Sequence, residues 1–228
     1  MGAGGSGGAV ENDGGVAAVS FDLFGTLVDV DAPDDPAAAV AAELRERGVV
    51  VPNDWADAYA EPHLEYAEGV ERPLHDHVSA ALASRDPERE PRAFVDDAAA
   101  AVRASFDRPV ETRPGAAEAV AALAGEYPVG VLSNCSVPGL VARTLERSTV
   151  DAGDLDAVVA SVECGWRKPD ARAFEAVAAD LGVPAGGLLH VGDDPETDGG
   201  AVGAGARFVL IGEVSLPELP SVVAERWG

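Results

Sequence analysis

Short apolar runs recur along the chain, each followed by turn-forming residues. The first is Val16 to Phe21 (VAAVSF). Later ones are Val129 to Leu132 behind Pro128, Ala157 to Ala160 (AVVA), Leu188 to Val191 (LLHV) and Phe208 to Ile211 (FVLI). Runs this short and nearly continuous predict parallel strands covered on both faces, since a strand with one wet face would alternate. Between the later runs the period changes. Pro114 to Ala124 carries Ala and Leu at helical spacing behind a proline suited to a first turn. Val137 to Arg147 and Asp170 to Leu181 follow the same logic, the latter closed by Gly182. Strand and helix alternate from about residue 114 onward, which predicts an α/β fold with a Rossmann-like, doubly wound parallel sheet.

The stretch from Ala32 to Asp107 breaks this alternation. It holds no run that reads as a strand, but four helical segments: Pro36 to Arg47, Asp54 to Glu68, Leu74 to Ser84 and Ala93 to Phe106. Gly48, Pro52, Gly69, Pro73, Pro87 and Pro91 punctuate them. This predicts an inserted all-helical cap over 32–107 in a core made of 15–31 and 108–228. Residues 1–14 are Gly-rich and read as a disordered tail. They lack the basic and apolar regions of a secretory signal, so a cytoplasmic location is the expectation. No apolar run approaches the ~20 residues that span a bilayer.

Composition narrows the partners. Of 228 residues, 40 are acidic and 16 basic, a net charge of −24. Such a surface repels phosphate backbones and anionic lipids, which argues against nucleic acid and membrane partners. The acids are spread along the whole chain, as on a solvated surface, and not gathered in one arm. Their mutual repulsion weakens as the Debye length shrinks to roughly 3 Å at 1 M salt, so the composition points to a salt-adapted protein. Cys135 and Cys164 read as small buried thiols, because a chain of this size needs no disulfide staple.

Ligands of an open parallel sheet bind beyond the carboxyl ends of its strands. After the first strand come Asp22 and Thr26; after the second, Ser133 and Asn134. Beyond the third comes GWRKPD with Lys168, and after the fourth GDDPETD with Asp193, Asp194 and Asp198. Taken singly, each has an ordinary reading: an Asp that caps a turn, a Ser-Asn turn, an acidic helix start. Together they gather carboxylates that repel unless a cation lies between them. An all-oxygen donor set suits Mg²⁺. The metal and Lys168 would neutralise a small anionic substrate approaching an anionic nucleophile. Lys168 is the only lysine in the chain; every other basic residue is Arg. A surface charge could have been Arg, so a compact, strongly hydrated ammonium is indicated. Trp166, two residues earlier, either lines the pocket or packs beneath the loop.

These four segments, in this order, resemble the four motifs of the haloacid dehalogenase superfamily. Asp22-Leu23-Phe24-Gly25-Thr26 is similar to its D-x-D-x-T motif, Ser133 to its strand-end Ser or Thr, Lys168-Pro169 to its Lys, and Gly192-Asp193 with Asp198 to its acidic fourth motif. The resemblance implies that Asp22 attacks the substrate and forms a covalent aspartyl intermediate. It also implies that Mg²⁺ is held by Asp22, the Phe24 carbonyl and Asp193. Asp198 would support the metal through water or orient Lys168, and Asp194 is the other candidate for that acidic support. Ser133 and Lys168 would grip the transferring group, with Asn134 helping to orient it. Phe24 departs from the pattern, since phosphatases of the superfamily carry there a second Asp that protonates the leaving group. His63, His75 and His77 are candidates for a substitute acid. The reading is an Mg²⁺-dependent phosphatase of a small phosphorylated metabolite. The rivals are a metal-independent C–halogen hydrolase, suggested by Phe24, and a non-catalytic phosphate-binding or regulatory protein.

The distributed acidity has a direct consequence: the melting temperature should rise steadily between 0.1 M and 2 M KCl. A protein most stable without added salt would contradict the salt-adapted reading.

Overall fold

The computed structural model describes residues 15–228, so the expected tail at 1–14 lies outside the described residues. In chain order the elements are β1 (Ala18–Phe21), β2 (Val28–Val30), α1 (Pro36–Glu46), α2 (Trp55–Ala60), α3 (Leu74–Ser84), α4 (Val95–Ser105) and β3 (Val110–Thr112). They continue with α5 (Ala116–Ala124), β4 (Val129–Ser133), α6 (Leu140–Arg147), β5 (Ala157–Ala160), α7 (Ser161–Cys164), α8 (Ala171–Asp180), β6 (Leu188–Gly192), β7 (Arg207–Leu210) and α9 (Leu219–Trp227).

All the apolar runs form strands of one parallel sheet, ordered β5-β4-β1-β6-β7. β1 lies at its centre, with Phe21 beside Val131 on one side and Val191 on the other. Both faces are covered, which is why these strands are continuously apolar. Val19, Phe21, Val131 and Val191 pack with α5, α6 and α9. Ala18, Leu132 and Leu188 pack with Ala173, Phe174 and Val177 of α8. The chain runs outward from β1 through β4 to β5, then crosses to β6 on the far side of β1. The carboxyl ends of β1, β4 and β6 therefore border one crevice.

The residues between 32 and 107 are helical wherever they are regular, with α1 packed on α4 and α3 on both α2 and α4. One segment is shorter than the expected Asp54–Glu68: α2 stops at Ala60. Pro62 disfavours helical backbone at Glu61, which is extended at φ −72° and ψ 140°. α5 and α6 each start later than expected. Gly115 (φ 82°) and Gly139 (φ 72°) place a left-handed turn where the sequence suggested helix.

Four elements were not foreseen, among them the single-turn helix α7 directly after β5. β2 and β3 pair antiparallel, Val28 with Thr112 and Val30 with Val110, forming a two-stranded ribbon where the chain leaves for the helical segment and returns. Three-residue strands carry too little periodicity to announce themselves. The closing helix α9 was also missed, although Ser215 and Glu218 form a capping box just ahead of it.

Candidate active site

Asp22 is the first residue past β1. Its N–H donates to the Val191 carbonyl of β6 at 2.8 Å, so the sheet's own hydrogen bonding holds it at the strand end. The chain then turns sharply. The Val28 N–H donates to the Leu23 carbonyl at 3.0 Å and the Gly25 N–H to the Val28 carbonyl at 2.8 Å, bonds that use neither polar group of Phe24. Gly25 sits at φ 89°, and a Cβ there would come within 2.5 Å of an Asp193 carboxylate oxygen. Only glycine lets the β1 loop approach the β6 loop this closely. Thr26 Oγ1 donates to Asp193 Oδ1 at 3.1 Å and aims that carboxylate.

Lys168 is 2 % exposed. Its ammonium donates to Asp22 Oδ1 at 2.7 Å, to Asp198 Oδ1 at 2.6 Å and to the Leu132 carbonyl at 2.9 Å, so all three of its hydrogens are used. Asn134 fixes the loop that carries it. The Asn134 side chain accepts from the Lys168 N–H at 2.8 Å and donates to the Lys168 carbonyl at 2.9 Å. Asn134 thus holds the Lys168 backbone through its amide, and it also lines the cavity at Asp22. Ser133, at the end of β4, is fully buried; its hydroxyl has no hydrogen-bond partner among the described residues, and it lies behind Asn134 without itself being among the residues that line the cavity. An unmet buried hydroxyl costs about 1–3 kcal/mol, which a ligand oxygen would relieve.

Asp198 is buried and opens a short 3₁₀ turn. Its Oδ2 accepts from the Asp194 N–H at 3.1 Å, while its Oδ1 faces Lys168 and His190 Nε2, the latter at 3.1 Å. Asp194 itself caps the Glu196 N–H, so Asp198 is the acid that joins the cluster. Gly192 leaves the room, since a Cβ there would fall 2.2 Å from the Asp198 carboxyl carbon.

His190 is the residue that sequence reasoning missed. It lies inside the apolar run of β6, fully buried, with Nδ1 2.8 Å from Ser20 Oγ of β1. Burial pushes its pKa down to about 4, against the pull of Asp198. The imidazole is therefore neutral; Nε2 carries the hydrogen donated to Asp198, and Nδ1 accepts from the Ser20 hydroxyl. Burial works against ionisation of Asp198 as well, but the His190 bond and the Lys168 charge hold its carboxyl well below the usual range. A lone histidine in an otherwise apolar strand, two residues before Gly192-Asp193, was the available signal.

Asp22, Asp193 and Asp198 each offer a carboxylate oxygen, and these oxygens lie within 4.8 Å of one another. Lys168 contacts two of the three acids, and Asp193 has no cationic partner among the described residues. The cluster is thus short of positive charge and built only of oxygen donors. It is capable of coordinating a divalent metal ion. Asp22, Phe24, Asn134, Lys168 and Asp193 line one cavity here.

Other expected contributors lie elsewhere. His63 and His77 bond the Ala58 and Tyr59 carbonyls through Nε2, both at 2.6 Å, and His75 lies 3.4 Å from Asp76. None of the three lines the cavity at Asp22, so the substitute-acid expectation is not met. Trp166 packs beneath the Lys168 loop, with the Arg172 guanidinium 3.4 Å from its ring centre. Cys135 is a buried free thiol, whereas Cys164 is only half-buried.

The model of the haloacid dehalogenase-like hydrolases matches residues 16–205. The chain belongs to this family of hydrolases. The fold is shared with a 2-haloacid dehalogenase from Pseudomonas syringae pv. Tomato DC3000, at TM-score 0.59 and 19 % identity over 93 % of this chain and 100 % of that one. It is shared with a structure described as a predicted phosphoglycolate phosphatase from Haemophilus somnus 129pt, at 0.55 and 17 % over 91 % and 97 %. A magnesium-bound YfnB structure from Bacillus subtilis matches at 0.53 and 16 % over 91 % and 98 %. Curated protein sequences return no match. Among the described residues of this hydrolase, no helix is long and apolar enough to cross a membrane.

Burial pushes the Asp22 carboxyl from its ordinary 3.8 up to about 6, opposed by Lys168 and reinforced by Asp198. The folded, metal-free chain holds this proton more tightly than the unfolded one. The contribution of Asp22 to stability therefore falls as pH rises from about 4 to about 6 and levels off above, while buried neutral His190 acts in the opposite direction, so the comparison with a variant isolates the carboxyl. Asp22→Asn escapes that loss. In EDTA the variant and wild type should unfold alike near pH 4, with the variant more stable by about 2–3 kcal/mol at pH 7. Equal stability at pH 7 would refute a burial-driven shift.

Proposed function

We propose that this hydrolase is an Mg²⁺-dependent phosphatase of a small phosphorylated metabolite, acting through an aspartyl-phosphate on Asp22. The carrying observation is Asp193, aimed by Thr26 at the Asp22 cluster and lacking a cation of its own. The ion would be held by Asp22, the Phe24 carbonyl and Asp193, and would supply neutralisation of phosphoryl charge. Asp198, with both oxygens engaged by protein donors, acts through Lys168 more than as a direct ligand. Residues 32–107 form the cap that closes over the site.

The oxygen of Asp22 not bound to Lys168 attacks phosphorus, and the bond from phosphorus to the leaving oxygen breaks. Water then attacks the phosphorus, releasing phosphate and restoring the Asp22 carboxylate. Lys168 keeps its proton and offsets charge on nucleophile and phosphoryl group. Ser133 donates its unpaired hydroxyl hydrogen to a phosphoryl oxygen. Asn134, Asp198 and His190 hold Lys168 in position. Phe24 donates no proton, so the leaving oxygen must depart as a weak base, which favours aryl or acyl phosphates over alkyl ones.

Phe24 also favours a second reading. Asp22 could attack a carbon bearing halogen, since halide departs without a proton and an aromatic wall suits it. An assay of aryl phosphate hydrolysis with Mg²⁺ and with EDTA, beside a 2-haloacid assay, separates the two. Mg²⁺-dependent release of phosphate, abolished by Asp193→Asn, is expected; halide release unaffected by EDTA would overturn the phosphatase.

The missing acid can be tested directly. Phe24→Asp should speed alkyl phosphate hydrolysis by about 10²-fold or more while changing aryl phosphates far less. Equal effects on both would count against the leaving-group argument.

A further inference from the structure

A second cavity, of about 270 Å³, adjoins the site and shares Phe24 and Asn134 with it. Its wall is mostly apolar, built from Val30, Phe106, Val137 and Leu140 around Phe24. It sits where the β2–β3 ribbon leads into the helical segment. Two charged residues, Arg108 and Asp31, also line it. They do not pair: no contact of 4.0 Å or less joins them, and neither side chain has an ion pair or hydrogen bond among the described residues. Arg108 is bonded only through its backbone, its N–H to the Phe106 carbonyl at 3.0 Å and its carbonyl to Arg147 at 3.5 Å. Its sequence neighbour Asp107 is already held by Arg143 and Arg147.

Arg108 is exposed at the mouth of this cavity and is the one cationic side chain among the residues that line it. At the edge of an apolar wall its attraction for an anion is less screened than in open water, and its planar fork matches a carboxylate. The cavity volume falls just below the range of roughly 300–1,000 Å³ typical of ligand pockets, so it admits only a compact group.

We propose that the substrate's leaving group is a compact apolar body ending in a carboxylate, with the body against Phe24, Phe106 and Leu140 and the carboxylate on Arg108. This names the substrate class of the phosphatase proposed above and rests on that reading. Phe24 then serves the leaving group as an apolar contact where it cannot serve as an acid. Asp31 opposes the carboxylate and so limits how much negative charge the mouth accepts.

The test is calorimetric binding to the full chain in Mg²⁺, with two non-hydrolysable probes: benzylphosphonate and 4-(phosphonomethyl)benzoate. The carboxylated probe should bind at least tenfold more tightly. Arg108→Gln should bring its affinity down to that of benzylphosphonate, and Asp31→Asn should widen the wild-type preference. Equal wild-type affinities, or a preference that survives Arg108→Gln, would overturn the carboxylate subsite while leaving the phosphatase intact. If neither probe binds, the phosphatase reading and the subsite fall together. Circular dichroism of each variant separates a lost contact from a lost fold.

Discussion

One buried ammonium holds the centre of this molecule together. Lys168 is the chain's single lysine, it is almost fully buried, and its three hydrogens go to Asp22, Asp198 and the end of β4. Each partner arrives from a different segment: Asp22 from β1, Leu132 from β4 and Asp198 from the turn after β6. Removing such a charge would strand two buried carboxylates, a loss of about 3–5 kcal/mol in comparable pairs. Arginine, used everywhere else in this chain, is a planar fork and could not satisfy three converging acceptors in the same small space. The lysine is thus explained by geometry.

Around that ammonium the protein builds a line of fixed polar contacts. Ser20 donates to His190, His190 to Asp198, and Asp198 receives Lys168, with Asn134 clamping the loop from behind. Because Ser20, His190, Asp198 and Lys168 are buried and partnered, the orientation of Lys168 is set before any ligand arrives, the condition under which fixed charges stabilise developing charge best. Two groups stand outside this closure. The Ser133 hydroxyl has no partner, and Asp193 has a hydroxyl donor but no cation. Of the two, Asp193 belongs to the cluster of three acids that is capable of holding a divalent ion, and such an ion would offset its charge.

Phe24 joins two environments that otherwise have little in common. It lines both the acidic cavity of Asp22 and the apolar cavity beneath the ribbon. An acid at that position would face the apolar wall as well as the leaving group. The aromatic ring gives up proton donation and gains contact with whatever fills that wall. The same loop keeps its Phe24 backbone groups out of the turn's hydrogen bonds, so the carbonyl and the ring can serve different partners.

The local chemistry of the sequence determined a good deal. Continuous apolar runs specified the strands of the parallel sheet, and the segments GDDPETD and GWRKPD specified which residues would stand past the strand ends. Both are legible because strand burial and loop position leave a local imprint on residue type. The helical character of 32–107 was legible for the same reason, apart from the early stop that Pro62 imposes on α2. Tertiary structure alone decided the rest. It assigned Asn134 to the Lys168 backbone, gave buried His190 a role behind Asp198, turned His63, His75 and His77 away from the site, and paired β2 with β3. It also set Arg108 beside Phe24. The decisive ones, such as Asn134 with Lys168 and Val28 with Thr112, are contacts between residues remote in sequence. No local period or composition encodes such a contact, because it exists only once the sheet has brought the segments together.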